Sequence, residues 1–469
     1  MQHEDQEEFR DRIATVDEAG KRKWIYPKKP AGKFTNRRNW VSYILLAFLF
    51  VGPYLRIGGE PVLLIGVLER RFVILGQSFS QYDFYIFVIM MIIGVLFITL
   101  FTVVYGRLFC GWVCPQTIFM ENVFRKIEYW IEGDYKHQLK LDRQEWNGEK
   151  LRKKALKHII YLVISFAIAN TFLAYLIGSE ALIEIITDPP SEHVSGLIGI
   201  VVFTIAFYFV FSKLREQVCT TICPYGRLQS VLLDKNSIVV AYDHVRGESR
   251  ARFRKNEDRK SEGKGDCIDC HQCVDVCPTG IDIRNGTQLE CVNCTACIDV
   301  CNSMMDGVGM DRGLIRYASE HEINTGEKFR FTTRIKAYTG VLIILIGVLG
   351  VLISARTETD TALIRTRGVL YQKMDDGSYR NLYEYTIHNK TNDTLDLEFR
   401  AISPYVGRIE MIGAMLPAPP AGESAGSLFI YIQEDSIPSG RPKIEIGVYE
   451  KSTGRLVEDV KASFLSPKR

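Results

Sequence analysis

Apolar residues are bunched along this chain into runs long enough to cross a membrane. The clearest run, Phe84–Tyr105, has no charged residue, and as a helix it spans about 33 Å, more than the roughly 30 Å of a hydrocarbon core. Four further runs follow the same pattern, of which the first is short and contains Pro53: Trp40–Leu55, Ile159–Ile177, Val194–Phe211 and Tyr338–Ser354. The hydrophobic pattern therefore predicts an α-helical membrane bundle of five spans.

The apolar segment Pro61–Leu75 does not fit this series, because Glu69, Arg70 and Arg71 interrupt it. One charge at the centre of a spanning helix costs about 2.5–3.5 kcal/mol, so three in a row exclude a span. We expect this segment to lie at the membrane interface, on the outer side.

Residues 356–469 show a different pattern, in which short stretches alternate polar and apolar positions. The stretches are Asn381–His388, Leu395–Phe399, Leu428–Gln433 and Lys443–Glu450, and turn-rich segments separate them: Asn389–Asp393, Pro417–Gly426 and Ser436–Pro442. Alternating strands at this spacing predict an immunoglobulin-like β-sandwich. The segment has no cysteine and no catalytic constellation, so we interpret it as an interaction module.

The overall composition says little about function, but the distribution of charged residues along the chain indicates how the chain is oriented in a membrane. The chain is 47% hydrophobic and 24% charged with a net charge of +3. Lysine and arginine are dense in residues 1–39 and in the 107–157 loop and absent from residues 178–193. The positive-inside rule therefore predicts that these two basic segments and residues 213–337 are cytoplasmic, and that an odd number of spans places 356–469 outside.

This arrangement predicts five domains and leaves no need for a nucleic-acid partner to explain the basic N-terminus. We expect a basic cytoplasmic tail at 1–39, a membrane domain at 40–233 and a cytoplasmic ferredoxin-like domain at 234–334. A fifth transmembrane helix at 335–355 and a periplasmic β-sandwich at 356–469 complete the chain.

Eight of the twelve cysteines lie in Cys267–Cys301, as two copies of C-x2-C-x2-C-x3-C that are 24 residues apart. This is the spacing of two-cluster ferredoxins, in which the fourth cysteine of each run ligates the other cluster. The spacing predicts two [4Fe-4S] clusters and two ligand sets: Cys267, Cys270, Cys273 and Cys301 for the first, and Cys291, Cys294, Cys297 and Cys277 for the second. Structural zinc, disulfides and a c-type haem at Cys267–His271 explain the repeat less well.

The other four cysteines form two C-x3-C-P pairs, Cys110/Cys114 and Cys219/Cys223, each at the end of a span hairpin and 109 residues apart. Each pair precedes an amphipathic stretch, Gln116–Ile131 (with Ile118, Phe119, Val123, Ile127 and Trp130 on one face) or Tyr225–Leu233. A parallel repeat of this kind brings both pairs together at the cytoplasmic face. Proline places Cys114 and Cys223 at helix N-termini, where the dipole favours thiolate.

Thiolates at this position suit Cu(I), zinc or iron–sulfur. Three chemistries stay open for the four cysteines: a transient copper site, a third cluster or a redox-active dithiol. The sequence has no dinucleotide fingerprint in the right context and no P-loop. Electrons must therefore come from a partner or from quinol.

The order of these features resembles the cytochrome c oxidase accessory protein family, the FixG/CcoG/RdxA proteins. The likeness covers the basic N-terminus, hairpins ending in CGWVCP and CTTICPYGRLQ, the ferredoxin run, a last span and an exported β-domain. It implies a bacterial inner-membrane iron–sulfur protein that reduces Cu(II) to Cu(I) while a cbb-type oxidase is assembled. Its implied partners are a cytosolic electron donor, copper transport proteins and oxidase-assembly proteins. Asn302, where the first run has Pro278, is a small departure that does not affect ligation.

Our leading hypothesis is therefore a cupric reductase, an oxidoreductase that passes electrons to Cys110, Cys114, Cys219 and Cys223. The alternatives are a quinol dehydrogenase that feeds a partner redox protein, and a non-enzymatic assembly scaffold.

Overall fold

A computed structural model describes residues 15–16, 21–66, 71–79, 83–255, 257–327, 331–366, 368, 370–415, 417–420, 422–437 and 442–466. The chain divides into two compact units. The first comprises residues 1–51, 91–173 and 182–345, and the second comprises 52–90, 174–181 and 346–469. The five predicted domain boundaries stay predictions.

Most elements of the first unit are helices. The α-helices are Lys33–Val51, Phe84–Tyr105, Leu108–Trp112, Pro115–Thr117, Arg125–Ile131, Tyr135–Arg143, Gly148–Ile177, Ser179–Thr187, Val194–Phe209, Pro224–Leu232, His244–Gly247, Gln272–Asp275, Ala296–Val308, Glu320–Thr325 and Thr333–Ser354. Among the described residues, π-helical segments interrupt them at Ile118–Phe124, Val210–Leu214 and Val218–Ile222. The same part of the chain has 3₁₀ turns at Gly52–Tyr54, Ile283–Asn285 and Glu434–Ser436.

Four helices of the described chain are long and apolar enough to cross a membrane: Phe84–Tyr105, Gly148–Ile177, Val194–Leu214 and Thr333–Ser354. Each contains a predicted span. The predicted span Trp40–Leu55 corresponds to the helix Lys33–Val51, which ends two residues before Pro53 and carries basic residues in its first turns. Its role as a fifth span stays a prediction.

The C-terminal part of the second unit is a two-sheet sandwich, which confirms the predicted immunoglobulin-like fold. One sheet has the order Arg408–Ile412, Glu423–Gln433, Ser378–Asn389, Thr359–Arg365, with Gln372–Lys373 pairing on Ser378–Asn389. The other has the order Leu397–Ala401, Lys443–Glu450, Leu456–Ser463. All pairings are antiparallel, and both sheets contribute to one core, with Tyr383, Ile430 and Ile446 fully buried. The predicted turn Pro417–Gly426 ends earlier than expected, because the strand begins at Glu423.

The described part of the segment that follows the helix Lys33–Val51 forms short strands. Arg56–Ile57 pairs with Glu60–Pro61, and Leu63–Gly66, Arg71–Ile74 and Gln77–Phe79 form a three-stranded antiparallel sheet. Glu69 and Arg70 lie outside the described residues. The interfacial position of the segment stays a prediction.

A buried carboxylate in the second unit, Asp83, stands at the start of the helix Phe84–Tyr105 and is fully buried. Its oxygens lie 2.8 Å from a guanidinium nitrogen of Arg356 and 3.3 Å from Nζ of Lys390. Two cations from the chain that follows the last span therefore share one anion, which offsets the cost of burying it.

The basic N-terminal segment is packed along the first unit. The backbone N–H of Lys28 donates to the carbonyl of Asp275, and Tyr129 donates to the carbonyl of Pro27. The amides of Phe34 and Thr35 donate to the carboxylate of Asp299 at 3.0 and 2.7 Å. Asp299 thus caps the helix Lys33–Val51, which explains why this helix begins seven residues before the apolar run.

The amphipathic stretch after the first cysteine pair differs from the prediction in one respect. Ile118 and Phe119 are buried, as expected, but Trp130 is 77% exposed and Arg125 is only 1% exposed. The π-helical segment Ile118–Phe124 inserts extra residues into the turn and rotates the following helix, so the 3.6-residue pattern loses its phase.

Candidate metal centre

The 24-residue repeat of the ferredoxin run is also a repeat of the backbone. Asp269 and Asn293 have φ angles of 51° and 53°, and His271 and Thr295 have φ angles of 55° and 67°. Positive φ is uncommon for residues other than glycine, so four such residues at matched positions mark a loop shaped by function. His271 and Thr295 then begin the helices Gln272–Asp275 and Ala296–Val308.

These loops gather the eight cysteines around two neighbouring cavities. One cavity is lined by Cys267, Cys270, Cys273 and Cys301. The other is lined by Cys277, Cys291, Cys294 and Cys297, with Cys273 in the wall that both share. The structure therefore groups the thiols into the two sets that the sequence predicts. Ligation itself stays a prediction.

The donor set and its surroundings fit iron–sulfur clusters. Burial, followed by neighbouring negative groups, raises the pKa of Cys273 and Cys301 to about 12, and burial likewise raises that of Cys291 to about 12. Bare thiolates would not persist in so dry a cavity. Cationic iron supplies the charge that stabilises four thiolates together.

The cysteines of the second set lie in the turns that follow the apolar helices Phe84–Tyr105 and Val194–Leu214. Cys114 and Cys223 are the N-caps of helices whose first residues are Pro115 and Pro224, as the prolines predict. Gly106 (φ 55°) and Arg215 (φ 53°), again 109 residues apart, break the backbone before each pair. The sequence repeat is thus matched in the backbone at this turn.

The turn before Cys219 is held by buried charges. Arg215 donates to both carboxylate oxygens of Glu128, at 2.7 and 2.9 Å. Burial alone would raise the pKa of Glu128, but Arg215 and Lys157 lower it to about 2. Glu128 therefore stays ionised and fixes the position of the second pair against the first.

The four thiols of the two pairs influence one another. Burial raises the pKa of Cys110 to about 11, and the neighbouring thiols Cys114 and Cys223 raise this pKa further. The hydrogen bond between Cys110 and Gln229 lowers it. Burial and then the three other thiols raise the pKa of Cys219 to about 12. Helix dipoles therefore do not decide the state of Cys110 and Cys219. A bound cation is needed to hold them as thiolates.

The second set adjoins the second ferredoxin loop. Cys110 packs against a core formed by Val276, Val292, Cys294 and Ala296. A Cβ added to Gly111 would lie 2.4 Å from the carbonyl oxygen of Val292. Only glycine permits this approach, so the chain places the two metal-binding candidates side by side.

Two polar residues that sequence reasoning missed also line this junction. Gln229 is fully buried, and its amide lies 3.4 Å from Sγ of Cys110. Arg107 is 5% exposed, donates to the carbonyl of Gly226, and lowers the pKa of both Cys110 and Cys291. The hydrogen-bond partners of both residues are 119 positions away, so only Gln229, inside CTTICPYGRLQ, carried a signal in the motifs that the sequence singled out.

Comparison with protein families places three models on the chain. A 4Fe-4S dicluster domain matches residues 214–320, a 4Fe-4S binding domain matches 87–136, and the Ig-like fold at the C-terminus of FixG matches 349–467. The dicluster model contains all eight ferredoxin cysteines, and the 87–136 model contains Cys110 and Cys114.

Similar proteins support the same assignment. The chain is 34% identical to protein RdxB of Cereibacter sphaeroides over 82% of this chain and 83% of that one. It is 34% identical to RdxA of the same organism, over 87% of this chain and 88% of RdxA. It is also 34% identical to nitrogen fixation protein FixG of Rhizobium meliloti, over 64% of this chain and 58% of FixG. A FixG-related protein from Vibrio parahaemolyticus aligns with 24% of this chain and 97% of its own, at 18% identity and a TM-score of 0.19. The chain therefore belongs to the FixG/RdxA family and is a membrane iron–sulfur electron-transfer protein.

Proposed function

We propose that this protein reduces Cu(II) to Cu(I) at Cys110, Cys114, Cys219 and Cys223, in the maturation of a cbb-type cytochrome c oxidase. The observation that carries this proposal is the contact between Cys110 and the loop that holds Cys294. An electron that leaves the second ferredoxin site has a cluster of thiols directly beside it.

The ferredoxin cysteines would hold two [4Fe-4S] clusters, which supply one-electron transfer when bound. The chain's own residues supply the rest. Gln229 orients Cys110, Arg107 balances negative charge beside Cys110 and Cys291, and the dry surroundings favour thiolates only when a cation is present. Soft thiolates prefer Cu(I) over Cu(II), so the site favours the reduced product.

The charge distribution supports an orientation in the bacterial inner membrane. Both metal centres and the N-terminus would be cytoplasmic, and the β-sandwich would be periplasmic. The sandwich would then serve as a docking module for copper transport or oxidase-assembly proteins.

One observation favours a second candidate for the four thiols, a third [4Fe-4S] cluster. The family model that spans residues 87–136 describes a 4Fe-4S binding domain and contains Cys110 and Cys114. Under this alternative the protein would pass electrons to a partner from that cluster.

The test is anaerobic reduction of purified protein with dithionite, removal of the reductant, and addition of Cu(II) with a Cu(I)-specific chelator. The ferredoxin cysteines would hold two clusters, each of which would supply one electron to one Cu(II), so we expect two Cu(I) per protein. The matched variant replaces Cys110, Cys114, Cys219 and Cys223 by serine and leaves the ferredoxin cysteines intact.

We expect this variant to keep eight irons and lose copper reduction. A loss of four irons would assign a third cluster to the site. Reduced wild-type protein that does not reoxidise with Cu(II) would refute the reductase, and the scaffold alternative would gain support if the variant still assembled oxidase.

A further inference from the structure

A short exposed stretch of the first unit, residues 252–255, is strongly basic, and the function proposed above does not use it. It consists of Arg252, Phe253, Arg254 and Lys255, all of them exposed, and is called the basic segment below. We propose that the basic segment is the docking surface for a soluble one-electron carrier with an acidic surface, of the ferredoxin or flavodoxin kind. This inference rests on the proposed electron transfer and adds the point at which electrons enter the protein.

The loop around the basic segment has an excess of positive charge. Residues 244–264 hold eight Lys or Arg and four Asp or Glu. Arg250 lies 2.6 Å from Glu248, and Lys264 lies 2.5 Å from Glu257, so these cations are paired within the loop. Among the described residues, no hydrogen bond or ion pair engages the cationic groups of the basic segment. Its three charges are therefore free to attract an anionic partner.

A buried arginine ties the basic segment to the first ferredoxin site. Arg259 is 6% exposed and donates to the carbonyl oxygen of Cys267 at 3.1 Å. It also donates to the carbonyl oxygens of Ala251, at 3.0 Å, and Arg252, at 3.4 Å. The backbone N–H of Ala251 donates to the carbonyl oxygen of Cys267 at 3.2 Å. Because Cys267 belongs to the first cysteine set, a carrier held by the basic segment lies beside that set.

The two cysteine sets differ in what covers them. The second set adjoins Cys110, and Arg38 donates to the carbonyl oxygen of Cys294 at 2.9 Å. The first set reaches the surface at His271, which follows Cys270 and has a side chain that is 57% exposed. Electrons that leave the second set toward Cys110 therefore have their entry at the first set, which is the one that a soluble protein can approach.

The carboxylates near the first set are already paired. Asp269 and Asp282 each have an oxygen 2.6 Å from a guanidinium nitrogen of Arg284. Arg250 donates to the carbonyl oxygen of Arg284 at 3.1 Å, which joins this cluster to the loop of the basic segment. With the three cations of the basic segment included, the balance of charge at this surface is positive. Complementary charge raises the association rate of a partner and fixes its orientation.

Phe253 gives the basic segment an apolar contact point. Its side chain is 41% exposed and stands between two arginines in the sequence. Arginine and aromatic residues are enriched in protein–protein interfaces, and electron-transfer encounters use small ones. A membrane with anionic lipids would also attract the three cations. The hydrogen bonds to Cys267 favour a redox partner, because they place the cations next to a site that can accept an electron.

The electron transfer balances without bond formation. The reduced carrier loses one electron, the first ferredoxin site gains it, and no proton moves. Two such transfers supply the two electrons that reduce two Cu(II) to two Cu(I) in the proposed function.

The experiment uses the full-length protein with its clusters, in nanodiscs of neutral phosphatidylcholine. The probe is an acidic plant-type [2Fe–2S] ferredoxin that carries a fluorophore. Fluorescence anisotropy measures its binding with both proteins oxidised, so that no electron transfer contributes, and we expect binding to weaken as the salt concentration rises. Stopped-flow mixing with reduced ferredoxin, without oxygen, then gives the second-order rate of cluster reduction.

The decisive variant is the triple substitution Arg252→Gln, Arg254→Gln, Lys255→Gln, which removes three charges from exposed side chains. We expect its affinity for ferredoxin and its second-order rate to fall by about tenfold or more at low salt. The difference from wild type should disappear at high salt. Phe253→Ala should weaken binding by a factor that does not depend on salt.

The matched control is Lys136→Gln, Lys140→Gln, Arg143→Gln. It removes three exposed cations from the helix Tyr135–Arg143, which carries none of the cysteines, and it should bind ferredoxin as wild type does. Reduced methyl viologen, a small cationic reductant, should reduce the clusters of both triple variants and of wild type alike.

The outcomes separate this inference from the proposed function. Equal ferredoxin binding by the basic-segment variant and wild type would refute the docking surface. If phosphatidylglycerol nanodiscs remove the difference between the two proteins, the segment binds the lipid surface and the inference is overturned. If ferredoxin binds and reduces the clusters but Cu(II) does not reoxidise them, the reductase fails and the docking surface stands. If only dithionite reduces the clusters and Cu(II) reoxidises them, the reductase stands and the docking surface is refuted.

Discussion

The contact at Gly111 gives the strongest test of the arrangement, through the variant Gly111→Ala. The new methyl group would lie 2.4 Å from the carbonyl oxygen of Val292 and 2.9 Å from the carbonyl carbon of Asn293, whereas ordinary contact begins at 3.4 Å. The obstructing atoms are backbone, so they cannot rotate away. The loop between Cys291 and Cys294 must retreat by about 1 Å, the difference between the first and last of these distances.

Two effects of this substitution oppose each other. Alanine in a helix is favoured over glycine by about 0.5–1 kcal/mol, and overpacking of a tight contact costs about 1–3 kcal/mol. The steric effect is larger, so we expect a net loss of stability of about 1–2 kcal/mol. The retreat lengthens the path between the second ferredoxin site and Cys110, so electron transfer, and with it copper reduction, should slow severalfold.

The assay is stopped-flow mixing of the reduced variant with Cu(II), together with iron content and thermal unfolding. Gly94→Ala is the matched control, because it also lies inside a helix and nothing stands within 4 Å of its added methyl group. Wild-type stability and a wild-type rate in Gly111→Ala would refute the contact between Cys110 and the second ferredoxin loop.

Three further predictions follow from buried polar groups. Asp83→Asn removes the buried anion that Arg356 and Lys390 share and should lower the free energy of unfolding by about 3–5 kcal/mol, measured by chemical denaturation in detergent. The pKa of Glu128 falls from 4.5 to about 2 on folding, so its ion pair with Arg215 stabilises the protein fully above pH 4.5. This stabilisation should be lost as the pH falls toward 2. Thermal unfolding at successive pH values measures the loss. Gln229→Leu removes the amide beside Cys110 and should weaken Cu(I) binding by about 10–100-fold in chelator competition.

Each of these has a matched comparison within the chain. Asp360 lies 3.9 Å from Lys390 but is 41% exposed, so Asp360→Asn should change stability by less than about 1 kcal/mol. Gln138 is 2% exposed and donates to the carbonyl of Gly133, so Gln138→Leu should cost stability and leave Cu(I) binding unchanged. In Glu128→Gln, the melting temperature should no longer fall between pH 4.5 and pH 2. If it still falls, another carboxylate is responsible for the loss of stability in acid.

Local sequence patterns were sufficient to predict most of the fold. The prolines after Cys114 and Cys223 predicted helix starts, and the strand Lys443–Glu450 was predicted to the residue, because turn chemistry and period-two alternation act over a few positions. The strand Arg408–Ile412 was missed because its exposed and half-buried positions alternate without a buried residue. Trp130 was misplaced because a π-helical turn leaves no mark in a 3.6-residue pattern.

The site was predictable only as far as its cysteines. Cys110 and Cys219 were grouped from spacing alone, and the structure brings them together. The residues that complete the site act across long separations, with Gln229 119 positions from Cys110 and Asp299 264 positions from Thr35. Gln229 and Asp299 each lie beside a cysteine motif, but a single sequence does not show which distant residue each of them contacts.

The cap that Asp299 provides for the helix Lys33–Val51 has a consequence for biosynthesis. Thr35 leaves the ribosome 264 residues ahead of its acceptor, which at about 5–20 residues per second is a delay of roughly 13–50 s. During that time water must satisfy the first amides of this helix. Asp299 lies between Cys297 and Cys301 on one helix, so the N-terminal segment can reach its final position only after the last cysteine run has folded. The first residues to be made are thus among the last to reach their final positions, and they can dock only once the metal-binding loops have folded.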